Sequence, residues 1–384
     1  MSPEQLITFV RKIFNEPSAF IPLHAPYFGG NEKKYVLDTI DSTFVSSVGE
    51  YVNRFERMMA EITGAKFAVA TVNGTTALHL SLVASGVKYG DYVITQPLTF
   101  VATANAIAHA GAKPIFVDVD ETSLSLSANA LQEYLEMNSY IDDEGVCRHK
   151  LDHAAIKACM PMHTFGFVAD IENIVKICSK YHLTLIEDCA ESLGSYYGHT
   201  HTGNFGRCGT FSFNGNKTVT SGAGGAIITN DEHFAALLKH LSTTAKKAHP
   251  YEFFHDMVGY NYRMPNLNAA LACAQLEQLP AFLKNKRDLA HKYRDLFKDT
   301  EIQFIDEAEG TKANFWLNTI LMHDTTSKNL FLKATNDAGV MTRPIWHLMN
   351  HLPMYSTCYC GDLTHSEFLA EHIINLPSSY RNNG

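Results

Sequence analysis

Residues 65–120 read AKFAVATVNGTTALHLSLVASGVKYGDYVITQPLTFVATANAIAHAGAKPIFVDVD. Three short runs, AKFAVATVN, DYVITQ and KPIFVDVD, carry strand patterns. Between them lie two helical patterns: GTTALHLSLVASG, with apolar Ala77, Leu78, Leu80, Leu82 and Val83, and FVATANAIAHAG, ended by Gly111. Strand and helix in alternation predict crossover connections, and hence a mostly parallel sheet with both faces covered. Outward from this stretch the rhythm continues. AIKACMPM and LTLIED read as further strands, set among helical patterns at 128–138 and 170–181, and GTFSF and GGAIITN as two more across a polar loop. The fold class is α/β.

After residue 231 helical patterns dominate to about residue 300, and IQFI, FWLNTILMH and GVMTRPI then suggest a smaller α+β unit. A chain of 384 residues accommodates two domains. We place them at 1–250, a large α/β domain with an N-terminal helical segment, and 251–384, a small α+β domain. The stretch 134–152 is polar and reads as a surface excursion between helix and strand.

Composition narrows the function. Hydrophobic residues make up 46% and charged ones 18%, which predicts a sizeable core and argues against disorder. A net charge of −9 argues against a nucleic-acid-binding surface. No apolar run reaches the ~20 residues that cross a bilayer, and the first residues, MSPEQLITFVRKIFNE, lack a secretion signal's pattern. Eight scattered cysteines fit a reducing cytoplasm. Cys358 and Cys360 form a lone C-x-C, and HLMNH (347–351) lacks the glutamate of the zinc-protease motif, so no metal site is expected.

Four features fall where parallel sheets gather ligands, at the carboxyl ends of strands. Asn73-Gly74-Thr75-Thr76 follows a strand and opens a helix. Its backbone N–H groups favour a phosphate there, although an ordinary helix cap reads the same way. Glu187-Asp188 ends LTLIED, and an acid at the end of a buried strand needs a partner. It can hold a metal, orient a base or pair with a protonated ring nitrogen. Lys217 sits in SFNGNKTVTSGAGG, with no carboxylate near it in the sequence. Beside a buried sheet its amine sheds charge readily, as Schiff-base chemistry requires. Phe100 starts a helix after DYVITQPLT and can cover a planar ligand. Phosphate cradle, aromatic cover, strand-end aspartate and loop lysine together are the parts of a pyridoxal 5′-phosphate (PLP) site, to which Ser212 can add a hydroxyl.

The markers NGTTALHLSL, QPLTFVATANAI, PMHTFGFVADI, LIEDCAESLGS, FSFNGNKTVTSGAGGAI and GYNYRMPNLNAAL stand in order along the chain. In them the sequence resembles the DegT-type sugar aminotransferases, PLP enzymes of the aspartate-aminotransferase fold. The resemblance runs from about Ile21 to the Asn375-Leu-Pro-Ser-Ser stretch. TRPIWHLMNHLPMY and the excursion at 134–152 are most similar to the branch that aminates C4 of a UDP-linked 4-keto-6-deoxy-N-acetylhexosamine on the way to legionaminic-acid-type sugars.

The resemblance implies that Lys217 carries PLP as a Schiff base and that Asp188 meets the pyridine nitrogen. Phe100 would stack on the ring, and Thr75, Thr76 and Ser212 would hold the phosphate. Glu191 stands where the family often has glutamine or histidine near the ring hydroxyl. Asn261 would reach the phosphate of the neighbouring subunit, which implies a homodimer with shared sites. His163, Arg343 and His347 are candidate substrate contacts. L-Glutamate is the expected amino donor and a nucleotide-linked keto sugar the acceptor. Related deoxysugar 3-dehydratases carry histidine in place of the lysine, so Lys217 argues against that activity. A PLP-binding regulatory protein would need an appendage for which neither length nor charge leaves room.

Overall fold

The computed structural model describes residues 1–382. Its centre is a seven-stranded sheet, ordered Phe67–Thr71, Gly225–Thr229, Cys208–Ser212, Thr184–Asp188, Ile156–Cys159, Tyr92–Thr95, Lys113–Phe116. The last five run parallel to one another. Gly225–Thr229 is antiparallel to both its neighbours. The expected mostly parallel α/β sheet is present.

Strand residues alternate between two cores, as a period of two requires. Val69, Val93, Ile186 and Ile227 pack with Leu78, Leu80, Ile107, Phe234 and Leu238 from helices on one face. Tyr92, Ile94 and Leu185 point the other way, onto Leu131, Leu135, Ile174 and Ile177. Further along that face, Ala70, Phe211 and Ile228 meet Phe55, Met59 and Ala269. Buried apolar surface contributes roughly 25 cal/mol per Å², so these two layers dominate the stability of the sheet.

The C-terminal unit is a four-stranded antiparallel sheet ordered Gln303–Phe304, Asn318–Leu321, Ile373–Leu376, Arg343–Pro344. Three of its strands lie within runs read from the sequence. The fourth, Ile373–Leu376, follows the helix Thr364–His372 without a break, so no turn residue announces it.

Packing crosses the boundary expected at 250/251. Met264, Ala269, Ala272 and Phe282 join the core beneath the large sheet. At the other end of the chain, Leu6 and Val10 join Tyr293, Phe331 and Ile374 of the C-terminal unit. Apolar helix faces bury against the nearest free core, whichever side of a composition change they come from.

The excursion at 134–152 is more ordered than its polarity suggests. Residues 134–138 complete the helix Ala128–Asn138, and Ser139–Ile141 pairs antiparallel with Cys147–His149. Tyr134, Cys147 and His149 are buried, and the His149 ring stacks on Tyr359 at 4.2 Å. Among the described residues no helix is long and apolar enough to cross a membrane, and all eight cysteines are unpaired.

Candidate active site

The carboxyl ends of the parallel strands open into a cavity of about 300 Å³, lined among others by Asn73, Gly74, Thr75, Phe100, Asp188, Glu191, Ser212, Lys217, Trp316 and Trp346. The helix Gly74–Ala84 starts at its wall. The side chain of Asn73 accepts the Thr76 N–H at 2.9 Å and caps this helix. Gly74 and Thr75, whose N–H groups the cap leaves free at the positive end of the helix dipole, line the cavity. A Cβ on Gly74 would lie 2.7 Å from Ser212 Cβ. Only glycine lets the helix start pack so close to the serine.

Asp188 ends the strand Thr184–Asp188 and is 2% exposed. Its Oδ2 accepts from the Thr103 hydroxyl at 2.8 Å and its Oδ1 from the Ala190 N–H at 3.1 Å. Burial pushes its carboxyl upward, against these bonds and the nearby Lys217 and His163. An acid so placed is poised for a cationic partner in the cavity.

Lys217 stands on the loop between Cys208–Ser212 and Gly225–Thr229. Its N–H donates to Asn214 O at 3.0 Å, and the neighbouring Asn216 O accepts the Trp316 indole N–H at 2.7 Å. The Lys217 amine lies 4.1 Å from the centre of the Trp316 ring. Local sequence showed no carboxylate near Lys217, but the fold supplies one: Glu191 Oε1 accepts from its Nζ at 3.0 Å. Side-chain exposures of 11% for Lys217 and 1% for Glu191 make this a buried pair. Burial raises the Glu191 carboxyl and the charge of Lys217 opposes the rise.

Of the residues named from the sequence, Thr75, Phe100, Asp188, Glu191, Ser212 and Lys217 line one cavity. Five others stand apart from its lining. Thr76 spends its hydroxyl on Asn73 O at 2.8 Å within the helix cap. His163 is fully buried beneath the strand ends. Its Nδ1 accepts the Ala169 N–H at 3.2 Å, so a neutral ring carries its proton on Nε2, toward Glu187 Oε2 at 3.1 Å. Glu187 also accepts the N–H groups of Gly203, Phe205 and Gly206, which accounts for its burial without any ligand. Arg343 is exposed and donates to Asn336 Oδ1 at 2.8 Å. His347 is exposed, and Trp346 takes the place at the cavity that was expected of it. Asn261 is exposed outside the cavity, where its Oδ1 accepts from Arg263 Nε at 3.0 Å.

Sequence reasoning missed Thr103 and Trp316, whereas Trp346 lies in TRPIWHLMNHLPMY, a segment already singled out. Thr103 follows Phe100 by one helical turn, and that spacing was a usable signal. Trp316 comes from the C-terminal unit, and nothing local marks it.

The residues present fit PLP. Gly74, Thr75 and Ser212 form a cradle for a phosphate at a helix start, a buried aspartate can meet a pyridinium, and a lysine amine opens into the same cavity. Comparisons with known proteins agree. The chain is 36% identical to GDP-perosamine synthase of Escherichia coli O157:H7 over 94% of this chain and 93% of that one. It is also 36% identical to GDP-perosamine synthase of Vibrio cholerae, over 93% and 94%. Helicobacter pylori PseC, an aminotransferase involved in the biosynthesis of pseudoaminic acid, superposes with a TM-score of 0.84 at 25% identity, covering 93% of each chain. A DegT DnrJ EryC1 StrS aminotransferase from Brucella abortus gives 0.82 at 26%, over 91% and 90%. Residues 26–382 match the family as a whole. The chain therefore belongs to the DegT/DnrJ/EryC1/StrS aminotransferase family and is a PLP-dependent sugar aminotransferase of the aspartate-aminotransferase fold.

Proposed function

We propose that this enzyme moves an amino group from L-glutamate to a nucleotide-linked keto sugar, with PLP carried on Lys217. The observation that supports it most is the meeting of Lys217, Asp188 and the Gly74 helix start in one cavity. When bound, PLP supplies an electron sink for breaking bonds at the amine-bearing carbon. The protein's own groups do the rest. Asp188, oriented by Thr103 and Ala190, holds a proton on the pyridine nitrogen. The Gly74–Thr75 backbone and the Thr75 and Ser212 hydroxyls bind the phosphate. Phe100 covers the ring. Lys217, neutral, is the nucleophile and afterwards moves a proton at the substrate carbon. Glutamate leaves its amine in the site in a first half-reaction, and the keto sugar collects it in a second.

Lys217 is the sole cation lining the cavity among the described residues. A site for two different amino acids would present arginine forks to their carboxylates, so this lining favours a sugar acceptor. By resemblance the acceptor is a UDP-linked 4-keto-6-deoxy-N-acetylhexosamine, aminated at C4. A second reading, a GDP-linked sugar, is favoured by the 36% identity to two enzymes named GDP-perosamine synthase. The test is amination of a panel of UDP-, GDP- and dTDP-linked keto sugars with glutamate. Turnover of several 2-oxo acids and of no nucleotide sugar would overturn the proposal.

The assembly proposed is a homodimer in which Asn261 reaches the partner's phosphate. Support comes from apolar side chains left exposed on this chain: Phe44, Val48, Tyr251, Phe253, Phe254 and Val258. Unpaired cysteines support a reducing, cytoplasmic location.

A further inference from the structure

Glu191 and Lys217 are 26 residues apart in the chain, and the fold sets them 3.0 Å apart with little access to water. Both carboxylate oxygens of Glu191 are committed. Oε1 faces Lys217 Nζ, and Oε2 accepts the Phe165 N–H at 2.9 Å. The Glu191 carbonyl is held by Asn314 Nδ2 at 2.8 Å. Phe165, which orients Oε2, is fully buried in the left-handed region at φ 56°. Non-glycine residues keep that conformation only where their surroundings enforce it. This much fixation is more than a surface ion pair needs.

The charged groups around the pair are few. Asp188 shares the cavity but is engaged by Thr103 and Ala190. His24 and Lys286 hydrogen-bond each other at 2.9 Å, and His24 lies near enough to feel the charge of Lys217. Among the described residues Glu191 is thus the only carboxylate in contact with the Lys217 amine.

We propose that Glu191 is the proton partner of Lys217, taking at Oε1 the proton that the amine must lose before it attacks a carbonyl carbon. In this step an Nζ–H bond breaks and an Oε1–H bond forms. The electron pair left on Nζ becomes the nucleophile, and the proton returns when the amine is released. The transfer turns a buried ion pair into a buried neutral pair, which desolvation favours. Burial raises the Glu191 carboxyl, the direction that eases protonation there. With PLP carried on Lys217, an ionised Glu191 would favour a proton at Nζ. The inference rests on PLP being carried by Lys217.

The experiment is a pH titration of the visible absorption of the PLP-loaded enzyme, preceded by borohydride trapping and peptide mapping. In Glu191→Gln the amide oxygen still accepts the Phe165 N–H, so the geometry is kept while the charge is lost. The midpoint for loss of the protonated band should fall by about one pH unit or more, a tenfold change in the protonation equilibrium. Glu191→Asp keeps a charge at a longer distance and should lower the midpoint by less. Either variant alone decides the matter if the other does not fold. Trapping at Lys217 with an unmoved or raised midpoint overturns the role of Glu191 and leaves the PLP assignment standing. Trapping at another residue overturns both.

Discussion

Replacing Lys286 by methionine should change how stability depends on pH. Lys286 is 2% exposed, and its amine donates to His24 Nε2 at 2.9 Å, Trp316 O at 3.1 Å and Ser378 O at 2.9 Å. None of the three is a carboxylate. Burial without a countercharge pulls the amine from 10.5 down to about 7. Between those two values the unfolded chain binds more protons than the folded one, so this group's contribution to stability rises with pH in that window. Taking the two values as they stand, Lys286 costs roughly 4 kcal/mol at pH 7, and about 2 kcal/mol of that is recovered by pH 9. The assay is urea unfolding of parent and Lys286→Met at both pH values. Subtracting the variant cancels the titrating groups that Lys286 does not touch, and His24, which it does touch, is held well below this window. The stability of the parent relative to the variant should rise by about 2 kcal/mol. A flat or falling difference would refute the reasoning. It would mean that the two carbonyls and His24 solvate the ammonium as well as water does.

Other outcomes follow from the same geometry. Gly166 has φ +96°, and a Cβ there would strike Asn314, which holds the Glu191 and Leu193 carbonyls and accepts the Trp316 N–H. Gly166→Ala should therefore lose on the order of 3 kcal/mol or more in thermal unfolding, along with activity; an unchanged melting temperature argues against it. Asp188→Asn keeps the shape but removes the charge. Both half-reactions should slow by orders of magnitude in single-turnover absorbance while the fold survives, and an intact rate with PLP bound would make Asp188 purely structural. Mixing an Asn261→Ala chain with a Lys217→Ala chain should restore part of the activity, since one of the two shared sites is then whole. No recovery in mixtures shown to form heterodimers would refute shared sites.

Much was legible in the chain because it is written locally. Strand patterns in AKFAVATVN and LTLIED, the helix cap at Asn73 and the glycine-rich loop around Lys217 each depend on neighbours a few residues away, which torsion preferences and burial period encode directly. The order of these pieces was enough for the α/β class, and it put Asp188, Phe100 and Lys217 at strand ends. The C-terminal sheet was legible only in part, because Ile373–Leu376 is a short run fused to a helix. What only the tertiary structure decided were the contacts between distant segments. Glu191 as the neighbour of Lys217, Trp316 against its amine, Lys286 on the Trp316 carbonyl, and Thr76, His163, Arg343 and His347 outside the lining have no local signature. Each is set by how layers pack. Whether a polar side chain faces a ligand or a neighbour is a balance of desolvation against available partners, and those partners exist only once the chain has folded.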